Sequence, residues 1–130
     1  MSKHKVVHFE IPASDKKKSR EFYEAVFGWK FDSAGGGEDE YLMAMTTESK
    51  DGMPTETGGI NGGFYKRTSK KETPSIVIET DSIEESLKKI GASGGKMTSP
   101  KHAIGEYGFI AEFTDPDGNE LSLWETTGKM

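Results

Sequence analysis

Apolar and polar residues alternate along the first strand-length segment of the chain. Over residues 6–11, positions 7, 9 and 11 are apolar, whereas His8 and Glu10 fall between them. A period of two is typical of a β-strand with one buried face. The pattern therefore predicts a strand that carries His8 and Glu10 on the face opposite its hydrophobic residues.

The spacing of apolar residues then changes from two to the period of a helix. Apolar side chains at positions 22, 23, 26 and 27 would form one stripe, and we expect Phe22, Tyr23 and Phe27 to be core residues. Ser14 or Asp15 is suited to begin the helix and Gly28 to end it. Three strands are predicted next, at 29–33, 41–46 and 60–65, with polar or glycine-rich loops at 34–38 and 47–59.

The same order of elements recurs in the second half. A strand is predicted at 75–80, and a helix follows that begins with the capping box Ser82 to Glu85 and ends at Gly91. Three strands are predicted at 95–98, 107–113 and 120–125, with a loop at 99–105. We interpret this order as an internal duplication, with modules at about 4–66 and 73–127 inside one domain of residues 1–130.

The last predicted hairpin has a strong turn signal. The residues D-P-D-G-N at 115–119 combine a proline with a glycine that tolerates the left-handed region. In the strand that follows, Leu121 and Leu123 point to one face, whereas Ser122 and Trp124 point to the other. Such a strand fits either a cavity wall or an ordinary sheet whose polar face meets water.

Composition and charge narrow the classes of function. The chain has 130 residues, no cysteine and a net charge of −5. A negative balance disfavours nucleic acid, and the lack of cysteine excludes disulfides and thiolate chemistry. No hydrophobic run approaches the length of a membrane span. We expect a soluble, cytoplasmic protein with no nucleic-acid or membrane partner.

Three sequence features together resemble the vicinal-oxygen-chelate superfamily, which includes glyoxalase I, bleomycin-resistance proteins and extradiol dioxygenases. They are the duplicated order, the runs H-F-E-I at 8–11 and F-Y-E-A-V-F-G-W at 22–29, and the turn at 115–119. The run I-N-G-G-F at 60–64 is similar to the branch of predicted enzymes related to lactoylglutathione lyase. The resemblance implies an α+β fold, with two tandem βαβββ modules forming a curved mixed sheet around a cavity.

The resemblance also implies where a metal would be held. Metal-dependent members carry two ligands per module, usually His or Gln and Glu, on the first and last strands. The matching positions here are His8, Asn61 or Gly62, Ser75 and Ser122. His8 is the only ligand position that survives, so we expect no tightly bound metal. A divalent metal cofactor is the minor alternative.

His8 and Glu10 are the candidate catalytic residues. Imidazole titrates near neutral pH and can act as a general base or a hydrogen-bond donor. Glu10 shares the face of His8 and could pair with it. The alternative interpretation is a half-buried histidine whose hydrogen bonds are satisfied by a neighbouring strand.

Five further residues are candidates for substrate binding. Trp124 is suited to stack on a planar ligand, with Phe64 and Tyr107 as weaker candidates, and Ser122 and Asn61 would position the ligand. The alternative for Trp124 is that it only fills the cavity. The sequence assigns no role to His102 or to the basic cluster at 16–18.

Three functions remain open. The favoured one is a glyoxalase-like and bleomycin-resistance-like protein that binds a small organic molecule without a tightly bound metal. If the protein is an enzyme, it would transform that molecule as a lyase or isomerase. The first alternative is a resistance protein that sequesters an antibiotic-like cation, and the second is a metal-dependent lyase, isomerase or dioxygenase. We also expect a homodimer, because exposed sheet edges invite a second copy.

Overall fold

The computed structural model describes residues 3–33 and 41–127. The predicted loop at 34–38 lies outside the described residues. The chain divides into two compact units. One unit is His8–Pro74, and the other combines Met1–Val7 with Ser75–Met130. The modules expected at about 4–66 and 73–127 stay a prediction.

The elements of the first half of the chain are β1 (Val6–Ala13), α1 (Lys16–Phe27), β2 (Lys30–Ser33), β3 (Leu42–Met45), β4 (Ser49–Lys50), β5 (Met53–Pro54) and β6 (Asn61–Lys66). Strand β1 starts two residues before the His8–Pro74 unit does. The sheet of this unit has the strand order β2-β3-β6-β1. Strand β1 runs parallel to β6, and β3 is antiparallel to both β2 and β6. A separate hairpin is formed by β4 and β5.

The core of this unit lies on one face of the sheet. Phe9 and Ile11 of β1 pack against it, as the alternating pattern predicted. His8 and Glu10 therefore lie on the opposite face of the same strand. The buried members of the core are Ala13, Phe31, Leu42, Ala44 and Phe64.

Helix α1 has the predicted ends but not the predicted burial. Asp15 caps its N-terminus by accepting the Lys18 N–H, and Gly28 ends it in the left-handed region. Tyr23 packs against the core. The prediction that Phe22 and Phe27 are core residues is wrong, because both are more than half exposed. Tyr23 connects the helix to the core, whereas the rings of Phe22 and Phe27 contact Tyr23 and each other.

The elements of the second unit are β7 (Ser75–Glu79), α2 (Ile83–Ala92), β8 (Lys96–Ile104), β9 (Gly108–Thr114) and β10 (Glu120–Thr126). The strand order is β7-β10-β9-β8. Strand β7 is parallel to β10, and β9 is antiparallel to both of its neighbours. One buried cluster joins α2 to the sheet through Ile83, Ala111, Phe113 and Leu123.

Helix α2 begins as predicted and ends later. The Ser82 side chain accepts the Glu85 N–H, which confirms the N-cap. The predicted end at Gly91 is wrong, because the helix continues to Ala92. The left-handed glycine that turns the chain is Gly94, with φ of 95°. Gly91 lies inside the last turn and adopts no such conformation.

Strand β8 is longer than predicted. It covers most of the expected 99–105 loop and includes Pro100 and His102. The pairing with β9 shifts register between Met97 and Ser99 and again between Ser99 and His102. An end strand tolerates proline and bulges because one of its edges makes no ladder. Because of the proline and the register shifts, the residues of β8 do not show the regular alternation from which a strand is predicted.

The hairpin of β4 and β5 was predicted as loop. Its two turn residues, Asp51 and Gly52, both have positive φ, at 53° and 78°. This is the geometry that Asp-Gly favours in a two-residue hairpin. The Asp-Gly signal is present in the sequence. The flanking strands have only two residues each, so they show no alternating pattern that would predict them.

The turn at 115–119 and the register after it are as predicted. The Asp115 carboxylate accepts the N–H groups of Asp117 and Asn119 at 2.9 Å. Leu121 and Leu123 pack against the α2 cluster. Ser122 and Trp124 therefore lie on the other face of β10. Within the described ranges, neither helix has the length and hydropathy of a membrane span.

Candidate functional site

A chain of hydrogen bonds joins the two predicted catalytic residues through a tyrosine. The Tyr41 hydroxyl lies 2.9 Å from Nε2 of His8 and donates to Oε2 of Glu10 at 3.2 Å. His8 and Glu10 share the non-core face of β1, and Tyr41 immediately precedes β3. We call these three residues the His8–Tyr41–Glu10 chain.

Gly63 makes this geometry accessible to the tyrosine. Strand β6 pairs with β1 so that Gly63 is opposite Glu10. The Tyr41 ring lies directly against Gly63, and a Cβ at that position would overlap the ring. On the neighbouring residue, the Phe9 ring lies against Gly62 in the same way. The glycine pair thus lets two aromatic rings approach β6 closely.

Burial shifts the acidity of all three members. It lowers the pKa of His8, which favours the neutral imidazole. Burial raises the pKa of Glu10, and the hydrogen bond from Tyr41 partly offsets that shift. Burial, with the negative charge of Glu10, raises the pKa of Tyr41 far above neutrality. Tyr41 is therefore a protonated phenol. Its hydroxyl connects His8 to Glu10 through hydrogen bonds.

The direction of the hydrogen bonds fixes the form of His8. Because the Tyr41 O–H donates to Glu10, the hydroxyl oxygen accepts from His8. Nε2 of His8 then carries the proton, and Nδ1 carries the lone pair. An imidazole in this form presents a base at Nδ1 and has its other nitrogen held in place.

Asn61 has a structural role. Its side-chain oxygen accepts the Thr46 N–H at 2.9 Å, and its amide nitrogen donates to Oγ of Ser49 at 2.8 Å and to the Gly52 carbonyl at 3.3 Å. The amide is buried and its groups are used by the protein itself. The predicted ligand contact from Asn61 is therefore corrected to fastening the β4–β5 hairpin.

Phe64 also departs from the prediction. It has no exposed surface and packs edge-on against Tyr23 and Phe31. In the sheet it is opposite Ile11 and Leu42, which share the core face. Phe64 is a core residue and leaves the set of candidate ligand contacts.

The remaining predicted residues belong to the second unit. Ser122 is buried and lies opposite Glu112 of β9. Trp124 is half-buried, and its ring lies against Gly108, where a Cβ would overlap it. Tyr107 is 52% exposed just before β9. Ser122 and Trp124 share a face of β10, but a cavity that they share with His8 and Glu10 stays a prediction.

Sequence reasoning missed two side chains of chemical interest. Tyr41 gave no signal, because its position against Gly63 depends on the pairing of β3 with β6. Glu112 did give one, since it is the single acidic residue in the otherwise apolar run 108–113. It lies on the non-core face of β9, opposite Ser122.

Comparison with protein families matches residues 5–123 to the Glyoxalase/Bleomycin resistance protein/Dioxygenase superfamily. The chain belongs to this superfamily. A Mycobacterium tuberculosis protein named "Putative glyoxylase CFP32" is 25% identical over 122 residues, which are 89% of this chain and 43% of that protein. The chain thus spans less than half the length of that relative. A "Glyoxylase-like domain-containing protein" of Didymella fabae is 27% identical over 92% of both chains.

Solved structures show the same fold at low sequence identity. A variant of Streptomyces coelicolor methylmalonyl-CoA epimerase, in complex with 2-nitronate-propionyl-CoA, superposes with a TM-score of 0.69. The two proteins are 14% identical, and the match covers 98% of this chain and 97% of the epimerase. The likeness establishes the mixed α and β fold of glyoxalase-superfamily proteins.

The residues of this superfamily member do not fit a tightly held divalent metal. In the ranges 3–33 and 41–127, no three His, Asp or Glu side chains come together as a metal site would require. The Asn61 amide is occupied, and Ser75 and Ser122 are neutral hydroxyls. Tight sites need several imidazole or anionic ligands.

A polar groove of about 480 Å³ lies elsewhere in the His8–Pro74 unit. Its wall includes the β4–β5 hairpin that Asn61 fastens. Within residues 3–33 and 41–127, its lining includes neither His8, Glu10 and Tyr41 nor any aromatic side chain. The lining residues are Gly28, Lys30, Asp32, Met45, Thr46, Thr47, Glu48, Ser49, Asp51 and Gly52.

Proposed function

We propose that this glyoxalase-superfamily protein binds a small organic molecule and moves a proton to or from it at His8, without a tightly bound metal. The observation that carries the proposal is the His8–Tyr41–Glu10 chain, in which Tyr41 bridges the two titratable residues at 2.9 and 3.2 Å. Shifted acidities on hydrogen-bonded residues are characteristic of acid–base sites.

The chemistry follows from the form of His8. Nδ1 takes a proton from a carbon next to a carbonyl, and the C–H electron pair becomes part of an enolate. The imidazolium that forms donates through Nε2 to Tyr41, whose hydroxyl donates to Glu10. The Glu10 carboxylate thereby stabilises the new positive charge. Return of the proton to the same or an adjacent carbon completes an epimerisation or isomerisation.

The structural relative supports this class of reaction. Its name describes an epimerase, and epimerisation beside a carbonyl requires removal and return of one proton. We therefore place the activity among isomerase- or lyase-type reactions of a carbonyl compound. We also propose that Ser122 and Trp124 bind ligand through the non-core face of β10, by hydrogen bonding and stacking. Tyr107, with its exposed ring, is a further ligand contact.

Proton exchange tests this proposal. Protein stripped of metal by a chelator is mixed in D₂O with a panel of simple thioesters and 2-oxo acids, and loss of C–H signal is followed by NMR. We expect exchange with at least one class, lowered about 10²- to 10⁴-fold in His8→Gln. His102→Gln is the matched control, because His102 is exposed on β8.

Three other outcomes would each contradict part of this proposal. Binding of a panel compound without exchange would contradict proton transfer and support sequestration. Exchange that appears only after zinc, nickel, iron or manganese is added would contradict the metal-free assignment. Equal exchange in wild type and His8→Gln would remove His8 from the reaction.

A further inference from the structure

Three strands bring Glu10, Gly63 and Met43 into one row on the non-core face of the first unit's sheet. Glu10 lies opposite Gly63, and Gly63 lies opposite Met43. Because neighbouring strands are about 4.8 Å apart, Met43 lies about 10 Å from Glu10, across a residue without a side chain. The Tyr41 ring rests against Gly63. The groups of this row beside His8 are therefore a carboxylate, a phenol and a thioether. We call it the Glu10–Met43 row.

Basic residues are segregated from the strands that carry the candidate residues. The chain has 17 lysines and arginines. In the described strands β1, β3, β7, β9 and β10 there are none, and the sequence of residues 34–40 contains none either. Strand β6 ends with Lys66, which lies opposite the core residue Ala13. Its ammonium donates to the Ser14 carbonyl at 2.8 Å, so it points away from the Glu10–Met43 row.

Two further lysines of this unit lie in β-structure. Lys30 shares the non-core face, but its strand β2 is three strands from β1, which is a distance of about 14 Å. Lys30 lines the polar groove described above. Lys50 belongs to the separate β4–β5 hairpin. Both lysines are exposed, so water and salt screen their charges.

In each unit, the face that would bind ligand includes residues that are shielded from water. Asn61 lies opposite His8 and is 3% exposed. In the second unit, Ser122 and Val77 lie opposite each other and are 3% and 4% exposed. A carboxylate that enters such a surface loses its hydration and needs a cation or several donors in return. A neutral carbonyl group loses much less.

Proton transfer to His8 increases this difference. A neutral substrate becomes one negative enolate beside one positive imidazolium. A substrate that already carries a carboxylate would become a dianion, close to the carboxylate of Glu10. At an effective dielectric constant of about 20, two like charges about 8 Å apart weaken binding by more than about tenfold.

We propose that the site takes a carbonyl compound without a negative charge beside the reacting carbon: a ketone, an aldehyde, or the acyl group of an ester or thioester. The inference rests on the proposed function, because it concerns the molecule that His8 deprotonates. It excludes 2-oxo acids and acyl groups with a carboxylate on the neighbouring carbon. Met43 is the specificity-determining residue, since its thioether lies where a substrate anion would require a cation.

Matched pairs of compounds test the proposal. Pyruvamide and pyruvate have the same size and the same exchangeable methyl group, but only pyruvate is an anion at pH 7. A propionyl thioester and its 2-carboxypropionyl counterpart form the second pair. Exchange in D₂O is followed by NMR with the metal-stripped full chain, and each rate is divided by the rate without protein. In whichever pair is exchanged, we expect the neutral compound to exceed the anion by more than about tenfold.

Substitutions in the Glu10–Met43 row should change this ratio. Met43→Lys places a cation in the row and should raise exchange of the anion, relative to the neutral compound, by about three- to thirty-fold. Met97→Lys is the matched control, because Met97 is 47% exposed on β8, and it should leave the ratio unchanged. Glu10→Gln should slow exchange of both compounds but narrow the gap between them. If Met43→Lys fails to fold, the wild-type ratio and Glu10→Gln decide the question.

The outcomes separate this inference from the proposed function. Exchange that is lost in His8→Gln but is as fast for the anion as for the neutral compound would overturn the inference and leave the proposed function standing. A ratio that Met43→Lys and Glu10→Gln both leave unchanged would also overturn it. Failure to exchange any member of either pair would overturn the proposed function, and the inference with it.

Discussion

The two helices follow the first strand of each repeated module, yet they differ in burial and in charge. Helix α2 buries Ile83 completely, carries Glu84 and Glu85 in its first turn and Lys89 in its last turn. Helix α1 buries no residue, and its first turn has three lysines. Helix α2 is thus stabilised within its own unit by packing and by its dipole. Helix α1 depends on its caps and on Tyr23.

An apolar stripe in a sequence does not identify what the stripe will contact. Both helices have a helical period of apolar residues, and the period alone predicts a core in both. The charges in the first turn differ in sign, and they distinguish the two helices before any packing is known. A helix whose charges contradict its own dipole is a candidate for an external partner.

The largest contrast should appear when an apolar residue of each helix is shortened. We expect Ile83→Ala to lower the free energy of unfolding by about 2–5 kcal/mol, because a fully buried side chain leaves a cavity. Val26→Ala should change it by no more than about 0.5 kcal/mol at concentrations that favour the monomer. Urea unfolding can report each unit separately, through Trp124 in a Trp29→Phe background and through Trp29 in a Trp124→Phe background. Equal losses would contradict the contrast.

Substitutions of two glycines, one against Tyr41 and one inside α2, should have opposite effects on stability. Gly63→Ala should lower the free energy of unfolding by about 1–3 kcal/mol, because its Cβ overlaps the Tyr41 ring. Gly91→Ala should raise it by about 0.5–1 kcal/mol, since a Cβ there meets open space inside α2. The same urea experiment measures both. A neutral Gly63→Ala would mean that Tyr41 does not rest on β6.

Charge exchange in the two first turns tests the dipole argument. Lys17→Glu in α1 should raise the free energy of unfolding by about 0.3–1 kcal/mol, and Glu85→Lys in α2 should lower it by a similar amount. Both effects should shrink as salt is added. Thermal melts at low and high ionic strength measure them. The same sign for both substitutions would contradict the comparison.

The smallest effect should come from the titration of His8. Its folded-state pKa lies below that of the unfolded chain because of burial. The unfolded chain therefore binds the proton first, and stability is lost as pH falls from the ordinary histidine pKa towards the folded one. His8→Gln should flatten the fall in urea midpoint between pH 7.5 and 5. The same pH dependence of the midpoint in wild type and in His8→Gln would contradict the lowered pKa of His8.

The faces of the strands and the caps could be predicted from the sequence because they depend on neighbouring residues. Alternation placed Phe9 and Ile11 in the core and His8 and Glu10 opposite, and Asp15 and Ser82 are strong caps. The exposure of Phe22 and the role of Asn61 depend on what packs nearby, which no local pattern records. The hairpin at Asp51 and Gly52 could have been predicted, because Asp-Gly is a typical turn of a two-residue hairpin.

The candidate site could be predicted only in part. His8 and Glu10 followed from the strand period and the family resemblance. Tyr41 did not, because it reaches them by lying on Gly63, more than twenty residues away along the chain. A long-range contact through a residue without a side chain leaves no mark in the pattern of hydrophobic and polar positions.

In the proposed site, Tyr41 and Glu10 hold His8 as a neutral base with its lone pair on Nδ1. Nitrogen-15 NMR of the imidazoles in metal-stripped protein at pH 7 tests this most directly, with His8 assigned by the His8→Gln spectrum. We expect one protonated nitrogen, Nε2, in wild type, and a mixture of the two neutral forms in Tyr41→Phe. A proton on Nδ1, or a doubly protonated ring at pH 7, would contradict the claim.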